Sequence, residues 1–184
     1  MRKVFVSNLV TVDGFFAGPN GEIDWHNVDA EFNDYAISML NSIDTMLFGR
    51  VTYDMMAGYW PTAAVLKDDP IVAGKMNSLA KIVFSKTLDK VEWENTRLVK
   101  ENIAEEIQKL KQQPGKDIAI LGSGTIVQLL TNLRLIDEYW LLVNPIILGK
   151  GKPLFKDIKE KVNLKLLDVR KFDSGNVMLK YHPM

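Results

Sequence analysis

The sequence contains no cysteine and only two histidines, His26 and His182. Disulfides, thiolate–zinc sites and cysteine nucleophiles are thereby excluded, and a centre built from several histidines has too few ligands. Nor does either sign of charge dominate: 23 Lys and Arg balance 23 Asp and Glu. A general nucleic-acid binder is normally basic, so that class is set aside, while a local basic patch for a phosphorylated cofactor stays compatible with the balance. No apolar run reaches the roughly 18 residues that suggest a membrane span. The N-terminus opens directly on a strand-like pattern, so no signal peptide is expected. A cytoplasmic protein with no membrane partner is the expectation. No internal repeat or low-complexity tract interrupts the chain.

What is present is an ordinary globular balance, 47% hydrophobic and 25% charged over 184 residues. That suits a single domain spanning 1–184 with a sizeable core. The chain is organised around the run from Ile118 to Leu130. It begins as a short apolar stretch with β-branched residues, which reads as a buried strand. It breaks at Gly122-Ser123-Gly124 and resumes from Thr125 with apolar residues at helical spacing. Glycines there allow close backbone approach to a ligand, and a helix start offers N–H groups and a dipole that attract phosphate. Thr125 can cap the helix or bond a phosphate oxygen. The same pattern also serves as a plain strand-to-helix turn.

Taken in order, Lys3–Val10 reads as a first buried strand, and 11–21, with three glycines and a proline, as a loop carrying Phe15 and Phe16. Such a loop either covers a site or tucks its aromatics into the core. Asp29 is the expected N-cap of a helix through about Ser42, with Asp34 near its inner edge beside Tyr35. Thr45–Phe48 is a second strand. Gly49-Arg50-Val51-Thr52 follows, and a helix starts at about Tyr53. This is another strand–glycine–helix junction, now with a cation whose planar fork suits phosphate. Two such junctions favour a dinucleotide held across the ends of parallel strands; the alternative for Arg50 is a surface salt bridge. Residues 59–69 read as a loop, Pro70–Leu79 as a helix capped by Asp69, and Lys81–Ser85 as a third strand followed by Lys86. Thr96–Val99 is a short strand and Ile103–Gln113 a charged helix. Glu138–Leu148 is a long strand with an edge or bulge at Pro145, and Gly149–Pro153 a basic glycine loop. Leu164–Phe172 and Val177–His182 form a closing hairpin. The whole is an α/β sheet, parallel at first and antiparallel at its end.

This order of elements resembles the dihydrofolate reductase fold, and more closely the reductase domain of bacterial riboflavin biosynthesis and its stand-alone relatives. The resemblance covers nearly the whole chain. It rests on the opening strand and loop with Asp13-Gly14, the Gly49-Arg50-Val51-Thr52 turn, the Val83-Phe84-Ser85 strand end, the Leu121-Gly122-Ser123-Gly124-Thr125 turn, and the Asn144-Pro145-Ile146-Ile147-Leu148-Gly149-Lys150-Gly151 run. It implies a three-layer fold: a mixed, mostly parallel central sheet, helices on both faces and a C-terminal antiparallel hairpin. It implies NADPH, held at Gly49, Arg50, Thr52, Ser85, Leu121, Gly122, Ser123, Gly124 and Thr125. Lys86 is added as a partner for the 2′-phosphate. Homodimers are common among such proteins.

The activity implied is NADPH-dependent hydride transfer to a C=N or C=O carbon of a pterin-, pyrimidine- or sugar-derived substrate. That class includes 5-amino-6-(5-phosphoribosylamino)uracil and dihydrofolate. At the substrate, this chain departs from dihydrofolate reductases: Asp29, Glu31 and Asp34 are near the expected acid, and none aligns cleanly. Asp34 is the first candidate for proton donor and Asp13 the second, each requiring an apolar setting that raises its pKa. Two rivals stand beside this reading. One is a nucleotide-binding protein or sensor of the same fold without robust reductase activity. The other is a structural dimerisation domain using the apolar strand from Tyr139 to Leu148.

Overall fold

The computed structural model describes residues 1–184. Along the chain lie β1 (Val4–Thr11), β2 (Phe15–Ala17), α1 (Ala30–Ser42), β3 (Ile43–Gly49), α2 (Arg50–Tyr59), α3 (Ala63–Asp68), α4 (Pro70–Ser78), β4 (Ala80–Phe84) and β5 (Thr96–Val99). There follow α5 (Ile103–Gln112), β6 (Asp117–Leu121), α6 (Gly124–Asn132), β7 (Glu138–Asn144), β8 (Lys152–Pro153), β9 (Leu164–Lys171) and β10 (Val177–Pro183).

Eight strands form one sheet in the order β5-β4-β3-β6-β1-β7-β10-β9. The strands from β5 to β7 pair in parallel, and β10 runs antiparallel to both β7 and β9. Central strands buried on both faces need mostly apolar residues, and β1, β3 and β6 supply them with Val, Ile, Phe and Leu. Two core clusters result, one on each face. Tyr35, Met39 and Leu40 of α1, Tyr53 of α2, and Val72 and Met76 of α4 pack on the first. Ile107 and Leu110 of α5, with Ile126, Val127 and Leu130 of α6, pack on the second. The three-layer dihydrofolate reductase-like fold with its closing hairpin is thus the observed one.

The helix starts follow local chemistry. Asp29 caps α1 by accepting from the Phe32 N–H at 2.8 Å, and Asp69 caps α4, with Pro70 as the first helical residue. Three elements depart from expectation. The 59–69 loop contains α3. The 11–21 loop contributes β2, which pairs antiparallel with β8 in a separate two-stranded sheet. The strand expected to run to Leu148 stops at Asn144, because Pro145 has no N–H to offer a neighbouring strand. A tight turn replaces it, with the Ile146 N–H donating to Asn144 O at 2.8 Å.

Candidate functional site

Parallel strands end together, so their carboxyl-terminal ends gather the glycine turns. Gly49 closes β3, Ser85 follows β4, and Leu121 closes β6, which lies between β3 and β1. Gly49 is followed at once by α2, and Gly122-Ser123 by α6. No side chain caps either helix start. The residues that would cap are instead spent sewing the two turns together. Ser123 Oγ accepts from the Gly49 N–H at 2.5 Å, and Thr52 Oγ1 accepts from the Ser123 N–H at 2.9 Å. Both hydroxyl residues are buried. Two helix N-termini therefore converge at one sheet edge with their first N–H groups uncapped, an arrangement that favours anions.

The glycines are required by contact as well as by conformation. Gly122 has φ of +70°, and a Cβ there would stand 2.9 Å from Thr52 Cγ2. At Gly124 a Cβ would meet the Phe16 ring at 2.7 Å, so Phe16 of β2 lies directly on the turn. Ser123 itself adopts a left-handed φ of 61°.

Arg50 is half exposed at the start of α2. Its guanidinium donates to Thr87 Oγ1 at 2.9 Å and lies 3.5 Å from Asp54. That bond joins the α2 turn to the loop after β4, where Ser85 Oγ accepts from the Thr87 and Leu88 N–H groups. Thr125 and Lys86 are exposed at the same edge. All ten residues expected at the cofactor therefore line one edge of the sheet.

The two carboxylates lie elsewhere. Asp34 is on the exposed side of α1, the opposite of the inner position expected for it. Asp13 is exposed too, and accepts from the Thr11 hydroxyl (2.6 Å), the Gly149 N–H (2.7 Å) and the Leu148 N–H (3.2 Å). These bonds, the Thr11 hydroxyl first, hold its carboxyl below the usual range, whereas a proton donor needs it raised. Asp13 ties the β1–β2 turn to the loop before β8.

Several features of this edge were not visible in sequence. The Tyr35 and Ser7 hydroxyls stand 3.4 Å apart between α1 and β1. Asn144 Oδ1 accepts from the Asn27 N–H, Asn27 Nδ2 donates to Ser174 O, and Asn176 Nδ2 donates to Asn27 O, clasping the segment before α1 to the ends of β7 and the hairpin. An asparagine beside Pro145 and another in the hairpin turn were the available signals. Beside this clasp, burial pushes His26 down to about 4. A folded-state pKa below the unfolded value of about 6.5 means the neutral ring is favoured, so its contribution is complete above pH 6.5 and is lost as pH falls towards 4. Between pH 7 and 5 the folded protein is expected to lose about 1–2 kcal/mol through this group, after allowance for the exposed part of the ring. Urea titrations of wild type and His26→Gln at both pH values test this, and equal losses in the two proteins would refute it.

A concavity of about 340 Å³ lined by Arg134, Asp137, Tyr139 and His182 opens at the opposite end of the sheet, remote from the turns. No helix is long and apolar enough to cross a membrane.

Comparison with known proteins agrees with this fold. The family model described as "RibD C-terminal domain" matches residues 2–178. The protein YyaP of Bacillus subtilis is 39% identical over 187 residues, covering 98% of this chain and 95% of that protein. Among solved structures, the diaminohydroxyphosphoribosylaminopyrimidine deaminase/5-amino-6-(5-phosphoribosylamino)uracil reductase of Thermotoga maritima superimposes with a TM-score of 0.71 at 16% identity. That match covers 100% of this chain and 57% of the other. The dihydrofolate reductase of Enterococcus faecalis complexed with NADP(H) superimposes with a TM-score of 0.65 at 15% identity, covering 98% and 96%.

Proposed function

The chain belongs to the RibD C-terminal domain family, and we propose that it is an NADPH-dependent reductase acting on a C=N or C=O carbon of a pterin-, pyrimidine- or sugar-derived substrate. The observation that carries this reading is the pair of uncapped helix starts, α2 and α6, stitched together by Ser123 and Thr52 beside the half-exposed Arg50 guanidinium. The cradle suits a dinucleotide, because Gly49, Gly122 and Gly124 keep the backbone of both turns bare of side chains, and Gly122 and Gly124 have no room for one.

In this reading, Arg50 and the N–H groups at the starts of α2 and α6 hold the phosphates, and Ser85 and Lys86 lie towards the adenosine end. NADPH, once bound, supplies the hydride. The rest is positioning by the chain. Pairing of β1 with β6 ends at Ser7 opposite Leu121, whereas pairing of β1 with β7 continues to Thr11. Lys3 turns its carbonyl towards β6 and Val4 turns its own towards β7. By the same alternation, the N–H and C=O of Leu9 face the gap that β6 vacates. A planar carboxamide fits that main-chain pair. Phe32, Met56, Trp60 and Leu9, half-buried around the first core cluster, offer an apolar wall for a flat heterocycle. The dimer belongs to the proposal as well. The edge strand β9 exposes Leu166, Leu167 and Val169 by about half each, and a second copy would cover them. Light scattering reads that assembly directly.

The test is titration with NADPH and NADH, followed by nicotinamide fluorescence. Wild type is expected to prefer NADPH. Arg50→Ala is expected to weaken NADPH about 10- to 100-fold, the range for a lost charge-assisted hydrogen bond. Its stability should stay nearly unchanged, since the exposed Asp54 pair contributes little. Absence of binding by wild type at millimolar nucleotide would refute the reading. Binding without NADPH oxidation against dihydrofolate, the aminouracil ribose phosphate or simple carbonyls would favour the sensor alternative.

A further inference from the structure

β1 presents Val4, Val6 and Val10 to the second core cluster, and Asn8 falls in phase with them. Its side chain is 5% exposed, and its Oδ1 is sealed from solvent with no hydrogen-bond partner. A valine or leucine would complete the apolar stripe, so an amide at this position burdens the protein alone. The other asparagines of this edge are differently placed. Asn144 is bonded through both amide atoms, and Asn176, whose Oδ1 is likewise sealed without a partner, is anchored through its Nδ2 in the clasp around Asn27.

What distinguishes Asn8 is its register. It is the first residue of β1 beyond the last β6 pair, Ser7 opposite Leu121, so it stands where β6 turns away into Gly122-Ser123-Gly124. On its other side it remains paired, opposite Leu141 of β7. The next residue is Leu9, whose main-chain groups face the vacated gap.

We propose that the Asn8 side-chain amide reads the carboxamide of the nicotinamide ring, its oxygen accepting from the carboxamide NH2 beside the Leu9 main chain. This inference rests on the dinucleotide reading above. It makes Asn8 a positioning residue that fixes which way the ring enters the gap, and it gives the buried oxygen the partner the protein lacks.

The experiment compares wild type with Asn8→Leu and, as a smaller replacement matching Val6 and Val10, Asn8→Val. Each protein is titrated with NADPH, with the 3-acetylpyridine analogue, in which a methyl group replaces the NH2, and with 2′-phospho-ADP-ribose, which lacks the ring. Melting temperatures are recorded without nucleotide. Wild type should prefer NADPH to the analogue. In the variants NADPH affinity should fall roughly fivefold to tenfold, the worth of one desolvated hydrogen bond. Affinities for the analogue and for 2′-phospho-ADP-ribose should hold, and the free proteins should melt no lower than wild type. Equal weakening of NADPH and the analogue, unchanged NADPH affinity, or a lower melting temperature or failure to fold in both variants would overturn the inference and leave Asn8 structural. Wild type that binds 2′-phospho-ADP-ribose but shows no preference between NADPH and the analogue overturns it while sparing the phosphate cradle. Wild type that binds none of the three ligands removes the dinucleotide reading itself.

Discussion

Lys81→Met is expected to lower the stability of the folded protein by about 3 kcal/mol, or the melting temperature by about 6–12 °C. Lys81 is 1% exposed on β4, among the least accessible charged side chains that a protein carries. Its ammonium donates to Met76 O (3.0 Å), Asn77 O (2.8 Å) and Leu79 O (2.7 Å), carbonyls at the C-terminal end of α4, and lies 4.6 Å from the centre of the Trp93 ring. One cation thus satisfies the orphan acceptors of a helix end, where positive charge also meets the dipole favourably. Burial lowers its pKa to about 8, against the pull of Glu94, so the group is still charged at neutral pH. Methionine keeps the bulk and the ring contact but leaves Met76 O and Leu79 O unpaired, while Asn77 O keeps a bond from Asn95. Two orphaned carbonyls, not a cavity, set the size of the effect. Lys81 sits at the end of β4 remote from Ser85, so nucleotide affinity should be untouched. Urea unfolding measures the loss, and a change below about 1 kcal/mol would show that water replaces the ammonium at the helix end.

The sequence made the scaffold of the site legible because periodicity and punctuation encode it locally. A buried parallel strand, a glycine and a helix start each have a signature, and at Gly49 and Gly122 the three occur in succession. Long-range pairing has no such signature. Lys81 reads as the first residue of a strand, and nothing nearby announces three carbonyls and an indole waiting for it. Asp13 reads as an acid beside a glycine. Only the fold brings Gly149 and Leu148 to it and turns it into an acceptor that holds a turn. Asp34 has helical spacing beside Tyr35, but the inward direction of Tyr35 rotates Asp34 to the solvent side. Pro145 sits inside a long apolar run, and the apolar signal outweighed the missing N–H in placing the strand end. The family resemblance puts Ser123 and Thr52 at the cofactor by position in their motifs, and in the fold their hydroxyls bond each other's turns. The polar residue in the valine stripe of β1 was visible from the start, but its meaning depends on where β6 stops.

Gly122→Ala is expected to raise the dissociation constant for NADPH at least about 30-fold, the largest binding effect of any single methyl group at this edge. Two contributions combine. An alanine at φ of +70° is held in the left-handed region, which disfavours L-residues by about 1–2 kcal/mol. Its Cβ would also lie 2.9 Å from Thr52 Cγ2, closer than carbon atoms tolerate, and a tight 3.1 Å from Thr52 Oγ1. Relief requires Thr52 to move, and Thr52 Oγ1 is the acceptor that fixes the Ser123 N–H. Ser123 in turn holds the Gly49 N–H, so displacement passes from one glycine turn to the other and spreads the two helix starts apart. Phosphate binding needs both sets of N–H groups in register, and an error of an ångström there is felt by every bond at once. The backbone strain cannot be relieved by a neighbour, but the steric part can. Thr52→Ser keeps the hydroxyl and removes the methyl, so alone it should change NADPH affinity little. In combination with Gly122→Ala it should recover part of the lost affinity. Titration of the four proteins of this double-mutant cycle separates strain from contact. Strict additivity of the two substitutions would show that the Thr52 methyl contact contributes nothing and that backbone strain at Gly122 sets the loss. Recovery in the double variant would assign that part of the loss to the contact between the new Cβ and the Thr52 methyl group.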